Sequence, residues 1–308
     1  MEKLLSFAQV IAPILAAVFL GVFTRKRNIL SSDDVKGLQQ FVLKFGLPCL
    51  LFNSCFRSQI SGSSAGIVLV LVPLMLLSAL WAFTRGKKKF SYHNLPMLFA
   101  GQETGTLGIP LFMILFGAEN ALYMGLLDIA QAVIALPTAA ILSTESGSTS
   151  AKNILRKLFS SPLMLAILLG ITLNLTGAAA WLDAIGIGSI LTQTTGFLAQ
   201  PVSALMIFCA GYNFSLSKEN QRPIVGICAV HLAFMAALCI ITQLALSLLP
   251  GTDALTRWSA VLYCALPASY LAPSLGKTEE EITMASGVCS LLTVLCLIIF
   301  CVMAFIAA

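Results

Sequence analysis

Apolar residues run along this chain in long blocks parted by short polar breaks. Blocks such as 67–83 and 285–308 approach or exceed the roughly 20 residues that a helix needs to cross about 30 Å of hydrocarbon. Ten blocks of this kind, close to 4–24, 35–56, 65–84, 94–115, 120–142, 161–177, 188–212, 224–249, 256–275 and 283–307, are read as helices. Composition sharpens the picture: 58% of residues are hydrophobic and 10% charged, with a mean hydropathy of +0.94. Soluble domains carry about a quarter charged residues, so a lone soluble domain is excluded. The connections are shorter than the roughly 50 residues a folded domain needs. The expected fold class is all-α integral membrane, with ten transmembrane helices.

The charges orient these helices. With odd-numbered loops in the cytoplasm, 14 of the 18 Lys and Arg face it, from Arg25-Lys26-Arg27 through Arg85 and Lys87-Lys88-Lys89 to Lys277. Positive loops stay inside, so both termini are expected outside a multi-pass protein of the cell (plasma or inner) membrane. The net charge of +5 therefore reports topology and gives no sign of nucleic-acid binding. The first block ends in Arg25-Lys26-Arg27 rather than a small-residue cleavage site, so it reads as a retained span. The nine Cys lie in apolar segments without CxxC pairs or Cys/His sets, and read as small packing residues.

The most polar connection, near 143–160, splits the ten blocks five and five. The expected domains are a first five-helix repeat (1–142), a cytoplasmic linker (143–160) and a second repeat (161–308). An odd number per half makes the halves enter the membrane in opposite directions, as in inverted-repeat transporters. Pro48 in span two and Pro201 in span seven lie 153 positions apart; Pro110 in span four and Pro267 in span nine lie 157 apart. The alternative is that prolines are simply frequent in membrane helices.

A mid-span proline removes an N–H and clashes with the preceding turn, and broken backbone at this depth is tolerated only where it lines a polar cavity or is buried in protein. Span four adds Gly101, Gly105 and Gly108 ahead of its proline; Gly101-xxx-Gly105 reads alternatively as a helix-packing motif. Pro110 and Pro267 suit the first position of a second half-helix. The amides of Leu111, Phe112 and Met113, and of Ala268, Ser269 and Tyr270, would then meet at the midplane as an anion cradle.

Those segments resemble the auxin efflux carrier family of membrane transporters, including its bacterial malate and malonate permease members. The resemblance covers essentially the whole chain. It is carried by Ala12-Pro13-Ile14, Leu20-Gly21-Val22 and Arg25-Lys26-Arg27-Asn28-Ile29-Leu30, and by Phe45-Gly46-Leu47-Pro48-Cys49. It is strongest in Thr104-Gly105-Thr106-Leu107-Gly108-Ile109-Pro110-Leu111 with Phe116-Gly117, and returns in Leu266-Pro267-Ala268. It implies two inverted five-helix repeats with broken helices four and nine crossing, a scaffold and a moving transport unit, and a homodimer. It also implies transport of an organic anion driven by an ion gradient or the membrane potential. Many members carry Asn shortly before the fourth-span glycines, where this chain has Glu103.

A charge near the bilayer centre costs about 2.5–3.5 kcal/mol on insertion scales, which makes each one a functional candidate. Glu103 is the strongest, as a carrier of a coupling proton whose arrival lets an anion bind beside it; the alternative is a fixed partner for Lys44 or His231. Asp128, one turn from Gln131, is either a second coupling group or a helix–helix hydrogen bond. Lys44 reads as structural, snorkelling to the cytoplasm, and His231 as packing. The expected substrate set is Asn53, Gln102, Glu103, Thr104, Gly105, Gly108, Pro110, Pro267, Ala268, Ser269 and Tyr270, with Pro48 and Pro201 as hinges. No metal or prosthetic group is expected, only a coupling proton or sodium ion. The expected partners are membrane lipid and a small organic anion such as a mono- or dicarboxylate. No H-E-x-x-H helix or G-x-S-x-G elbow is present to support an enzyme. The expected function is secondary active transport by alternating access; the alternative is an organic-anion or ion channel or uniporter built on the same fold.

Overall fold

A computed structural model describes residues 2–57, 62–143, 156, 160–214, 221–249 and 251–307. The 143–160 linker therefore lies almost wholly outside the described residues. Regular structure among them is helical throughout, apart from one antiparallel bridge between Gln102 and Ala268.

In the first half, α1 (Glu2–Lys26) is followed by α2 (Ser32–Phe41), which opens on a reciprocal capping box. There the Ser31 hydroxyl accepts from the Asp34 N–H and the Asp34 carboxylate accepts from the Ser31 N–H. A π turn (Val42–Gly46) carries α2 into α3 (Leu47–Arg57). α4 (Gly62–Trp81) passes through a second π turn (Ala82–Gly86) into the short α5 (Lys87–Phe90). α6 (Met97–Ala100), a third π turn (Thr104–Gly108) and α7 (Ile109–Phe116) make up the fourth apolar block, and α8 (Ala121–Ser143) the fifth.

The second half begins with α9 (Pro162–Leu175), capped by Ser161, and α10 (Ala178–Ala184). α11 (Ile187–Ala199) and α12 (Val202–Asn213) meet at Pro201, and α13 (Gln221–Leu248) follows. α14 (Ala254–Ala265), capped by Asp253, gives way to non-helical chain, and α15 (Glu279–Ala307) closes the fold.

Among the described residues five helical stretches are long and apolar enough to cross a membrane: Gly66–Phe90, Ala118–Ser143, Ile187–Asn213, Gln221–Leu248 and Glu279–Ile306. α9 and α10, bent by 78°, make a sixth when taken together. The interruptions expected in spans four and nine are present. The fourth block is broken after Ala100, and the ninth keeps only the 12 residues of α14 as helix. Large apolar side chains point outward around the fold, among them Phe19, Leu69, Leu175, Phe197 and Leu248, a surface suited to lipid rather than water.

Two helix pairs pack backbone to backbone. Gly21 of α1 faces the main chain of Phe208 and Tyr212, and Gly211 of α12 faces that of Val18; a β-carbon at either glycine would lie inside contact distance. Close approach through small residues is how membrane helices gain packing in the absence of a strong hydrophobic drive. Gly170 of α9 meets α3 in the same way, at the Phe52 carbonyl and the Cys55 β-carbon. The Asn174 amide then bonds the Cys55 and Phe56 carbonyls at 3.1 and 3.0 Å near the end of α3.

Candidate functional site: the crossing of two interrupted spans

The fourth span loses its helix at Gly101, which is extended (φ −165°, ψ 153°). At Glu103 (φ −83°, ψ 65°) the chain makes an inverse γ-turn, closed by the Thr104 N–H donating to the Gln102 carbonyl at 2.9 Å. Residues 101–103 run antiparallel to 267–269. The Glu103 N–H donates to the Pro267 carbonyl at 2.9 Å, and the Ser269 N–H to the Gly101 carbonyl at 3.1 Å.

Backbone donors and acceptors freed inside a membrane protein must all find partners, and here side chains from neighbouring helices supply them. Gln131 of α8 takes the outer edge of Gln102: its Oε1 accepts from the Gln102 N–H at 2.7 Å, and its Nε2 donates to the Gln102 carbonyl at 2.9 Å. One amide side chain thus stands in for a third strand. Its Oε1 also accepts from the Tyr263 hydroxyl at 3.0 Å. Ser78 of α4 bonds the Phe99 carbonyl at 2.8 Å, and Asn94 ties the Ala272 carbonyl at 3.1 Å.

Glu103 reaches from one interrupted span to the other. Its Oε2 accepts from the Tyr270 N–H at 2.7 Å, and its Oε1 from the Thr106 hydroxyl. Asp128 accepts from the Thr104 hydroxyl and from Gln131 Nε2 at 3.1 Å, and Gly105 faces its carboxylate. No Lys or Arg is paired with either carboxylate among the described residues. Lys44 is exposed and bonds Gln40, while His231 is buried at 1% exposure. Neither is the partner of Glu103. The Gln102 amide, in the orientation that satisfies its surroundings, donates to His231 Nε2 at 3.3 Å and to the Leu266 and Pro267 carbonyls at 3.1 Å. The Tyr270 hydroxyl meets Thr293 Oγ1 at 2.7 Å, and the Thr293 hydroxyl donates in turn to the Cys289 carbonyl, so Tyr270 is the donor of that pair.

Three expectations from the sequence need correction. Pro110 does not mark the break. The chain is helical without interruption from Thr104 to Phe116, so the amides of Leu111, Phe112 and Met113 lie inside a helix. The wide turn of Thr104–Gly108, with the Gly108 N–H reaching the Glu103 carbonyl and the Ile109 N–H reaching Thr104, makes room for the proline ring. Pro267 starts no half-helix. The chain beyond it stays extended or turned until a short 3-10 turn (Pro273–Leu275), and its freed amides are already taken: Ser269 by Gly101, Tyr270 by Glu103.

Asn53 is the third. It is committed to α11, donating to the Thr192 carbonyl at 3.1 Å and accepting from the Thr195 hydroxyl at 2.6 Å. Asn53→Ala is expected to lose about 1–2 kcal/mol of stability while leaving substrate KM unchanged, as read by thermal melting and uptake kinetics.

Pro48 follows a π turn within continuous helix, and Pro201 sits at the α11–α12 junction; Gly46 packs on Val202, so the two proline regions adjoin. Gln131 and Tyr263 carry roles at the crossing that the sequence left unassigned. Among the described residues no cluster of His, Cys, Asp or Glu could hold a metal.

A cavity of about 260 Å³ reaches Tyr270, lined also by Lys36, Asn213, Cys289 and Thr293. A second, of about 290 Å³, shares Ser32, Asn213 and Ser286 with it and extends to Arg25. Together they lead from the basic cluster at the end of α1 to the edge of the crossing.

Comparison with known proteins points to a membrane transporter. The family described as membrane transport protein matches residues 6–153. An uncharacterized transporter of Methanothermobacter thermautotrophicus is 24% identical over 302 residues, covering 94% of this chain and 95% of its own. The uncharacterized transporter YfdV of Escherichia coli is 27% identical over 223 residues, 67% of this chain and 68% of its own. With the fourth-span motif and the interrupted backbone behind it, this chain is similar to a membrane transport protein family and to two proteins named as transporters, which is consistent with the auxin efflux carrier family.

Proposed function

We propose that this protein is a secondary carrier for a small organic anion, a mono- or dicarboxylate, working by alternating access around the crossing of spans four and nine. The observation that carries the reading is the seating of a carboxylate, that of Glu103, on the main-chain N–H of Tyr270 where two interrupted spans meet. A site that already holds one carboxylate by a backbone donor has the chemistry to hold another.

In this reading ten helices form two inverted repeats, 1–142 and 161–308, with both termini outside. The antiparallel pairing of 101–103 with 267–269 supports opposed repeats. It matches Gln102 with Ala268, 166 positions apart, rather than Pro110 with Pro267. The cavities between Arg25 and Tyr270 serve as the cytoplasmic approach, where the basic residues gather anions.

The test is flux into liposomes holding the purified protein, with labelled acetate, malonate, malate and benzoate under imposed proton, sodium or voltage gradients. Uptake that saturates and is stimulated by unlabelled substrate on the opposite side is expected. A flux rising linearly with concentration and indifferent to the opposite side would make the protein a channel.

A further inference from the structure

We propose that Glu103 is a tethered stand-in for the cargo's own carboxylate, so that cargo binds only as a proton neutralises Glu103 and frees its place. The proposal rests on the carrier reading above and deepens it to a coupling mechanism.

The geometry is that of a ligand in a site. Glu103 belongs to one interrupted span, and the Tyr270 N–H that it occupies belongs to the other. The Thr106 hydroxyl holds the second oxygen. Neither donor is charged, and no Lys or Arg of the described residues balances the carboxylate. An unpaired carboxylate away from water is costly, and a second one entering the same space would compound that cost. The titratable groups around Glu103 add no positive charge: Asp128 from α8, Tyr270 from the ninth span and Cys289 from α15. His231 lies beyond Gln102. Glu103, Thr106, Ser269 and Tyr270 all keep some accessible surface, and a cavity reaches Tyr270.

The exchange conserves charge at the crossing. A proton from solution binds the Glu103 carboxylate, which leaves the Tyr270 N–H; a cargo carboxylate takes that N–H and the Thr106 hydroxyl. One proton and one carboxylate enter, and the seat still holds a single negative charge. Because the seated Glu103 also links the two interrupted spans, its release loosens one of the ties between them, the Glu103 N–H to Pro267 and Ser269 N–H to Gly101 bonds remaining.

The experiment uses the full-length protein in detergent and titrates acetate, malonate, malate and benzoate at pH 5.5, 6.5, 7.5 and 8.5. It compares wild type, Glu103→Gln and Glu103→Ala, each first checked for a single folded peak. Wild type should bind one of the probes up to about tenfold more weakly per pH unit as the linked proton is lost. It should also take up about one proton per probe bound in unbuffered solution, a measurement that needs no variant. Both variants should bind independently of pH, and at pH 8.5 at least tenfold more tightly than wild type.

Variants that bind more weakly than wild type at every pH would overturn the proposal, because Glu103 would then hold the cargo rather than yield to it. Wild-type binding with no pH dependence and no proton uptake would overturn it too; in both cases the carboxylate reading stands. Failure of all three proteins to bind any probe would remove the carboxylate reading itself, and this proposal with it.

Discussion

Gln131→Ala is expected to destabilise the protein by about 3–5 kcal/mol and to lower transport at least tenfold. The reason is the number of buried groups that one side chain satisfies. Gln131 accepts from the Gln102 N–H and the Tyr263 hydroxyl, and donates to the Gln102 carbonyl. A buried polar group left without a partner costs about 1–3 kcal/mol. The Gln102 carbonyl keeps the Thr104 N–H, and Tyr263 keeps a contact with the Met75 sulfur, so the loss falls short of three full penalties. Gln131→Glu is the sharper variant, since it keeps the acceptor but turns an oxygen towards the Gln102 carbonyl; it should be as damaging as alanine or worse. Tyr263→Phe removes one hydroxyl, leaves Gln131 Oε1 its Gln102 N–H, and should cost only about 1 kcal/mol. Melting of the purified variants and uptake by liposomes would check the order. A Gln131→Ala protein that melts with wild type would mean that the edge of Gln102 has another partner, and the three-stranded arrangement would fall.

The order of these effects shows what the sequence made legible and what it hid. Long apolar blocks announced a membrane fold because their chemistry is uniform and local. The polar run Gln102-Glu103-Thr104 after Gly101, set inside an apolar block, announced the fourth-span site for the same reason. The proline was the misleading sign: a proline ring disturbs the turn before it, and a π turn absorbed that disturbance without ending the helix. The true break needed a partner that no local pattern reveals. Extended backbone at 101–103 survives because 267–269 and Gln131 complete its hydrogen bonds. Asp128 and Gln131 are three apart and so share a helix face, a hint that α8 has a polar side, but not of which backbone that side serves. Asn53 was misplaced for the converse reason. Its type suggested substrate, and only the neighbouring turn of α11 shows it spent on Thr192 and Thr195.

Gly211→Ala is expected to cost about 1–3 kcal/mol or more and to slow transport, although Gly211 bonds neither Glu103 nor Tyr270. A methyl group there would meet the backbone of Val18, and one at Gly21 would meet the backbone of Phe208 and Tyr212. Main chain cannot rotate aside as a side chain can, so α1 and α12 must part, and overpacking of this kind is destabilising. α12 packs on α7 and on the Thr104–Gly108 turn as well as on α1, so its displacement reaches the crossing. Because Gly21 and Gly211 guard one contact, a single separation relieves both clashes, and Gly21→Ala with Gly211→Ala together should cost clearly less than the two single losses added. Gly37→Ala is the control. It lies in α2 with no atom within 4 Å of the added methyl, and alanine there should stabilise the helix by up to about 1 kcal/mol. Melting temperatures of the four variants decide the matter: additive losses at 21 and 211 would place the two glycines in separate contacts.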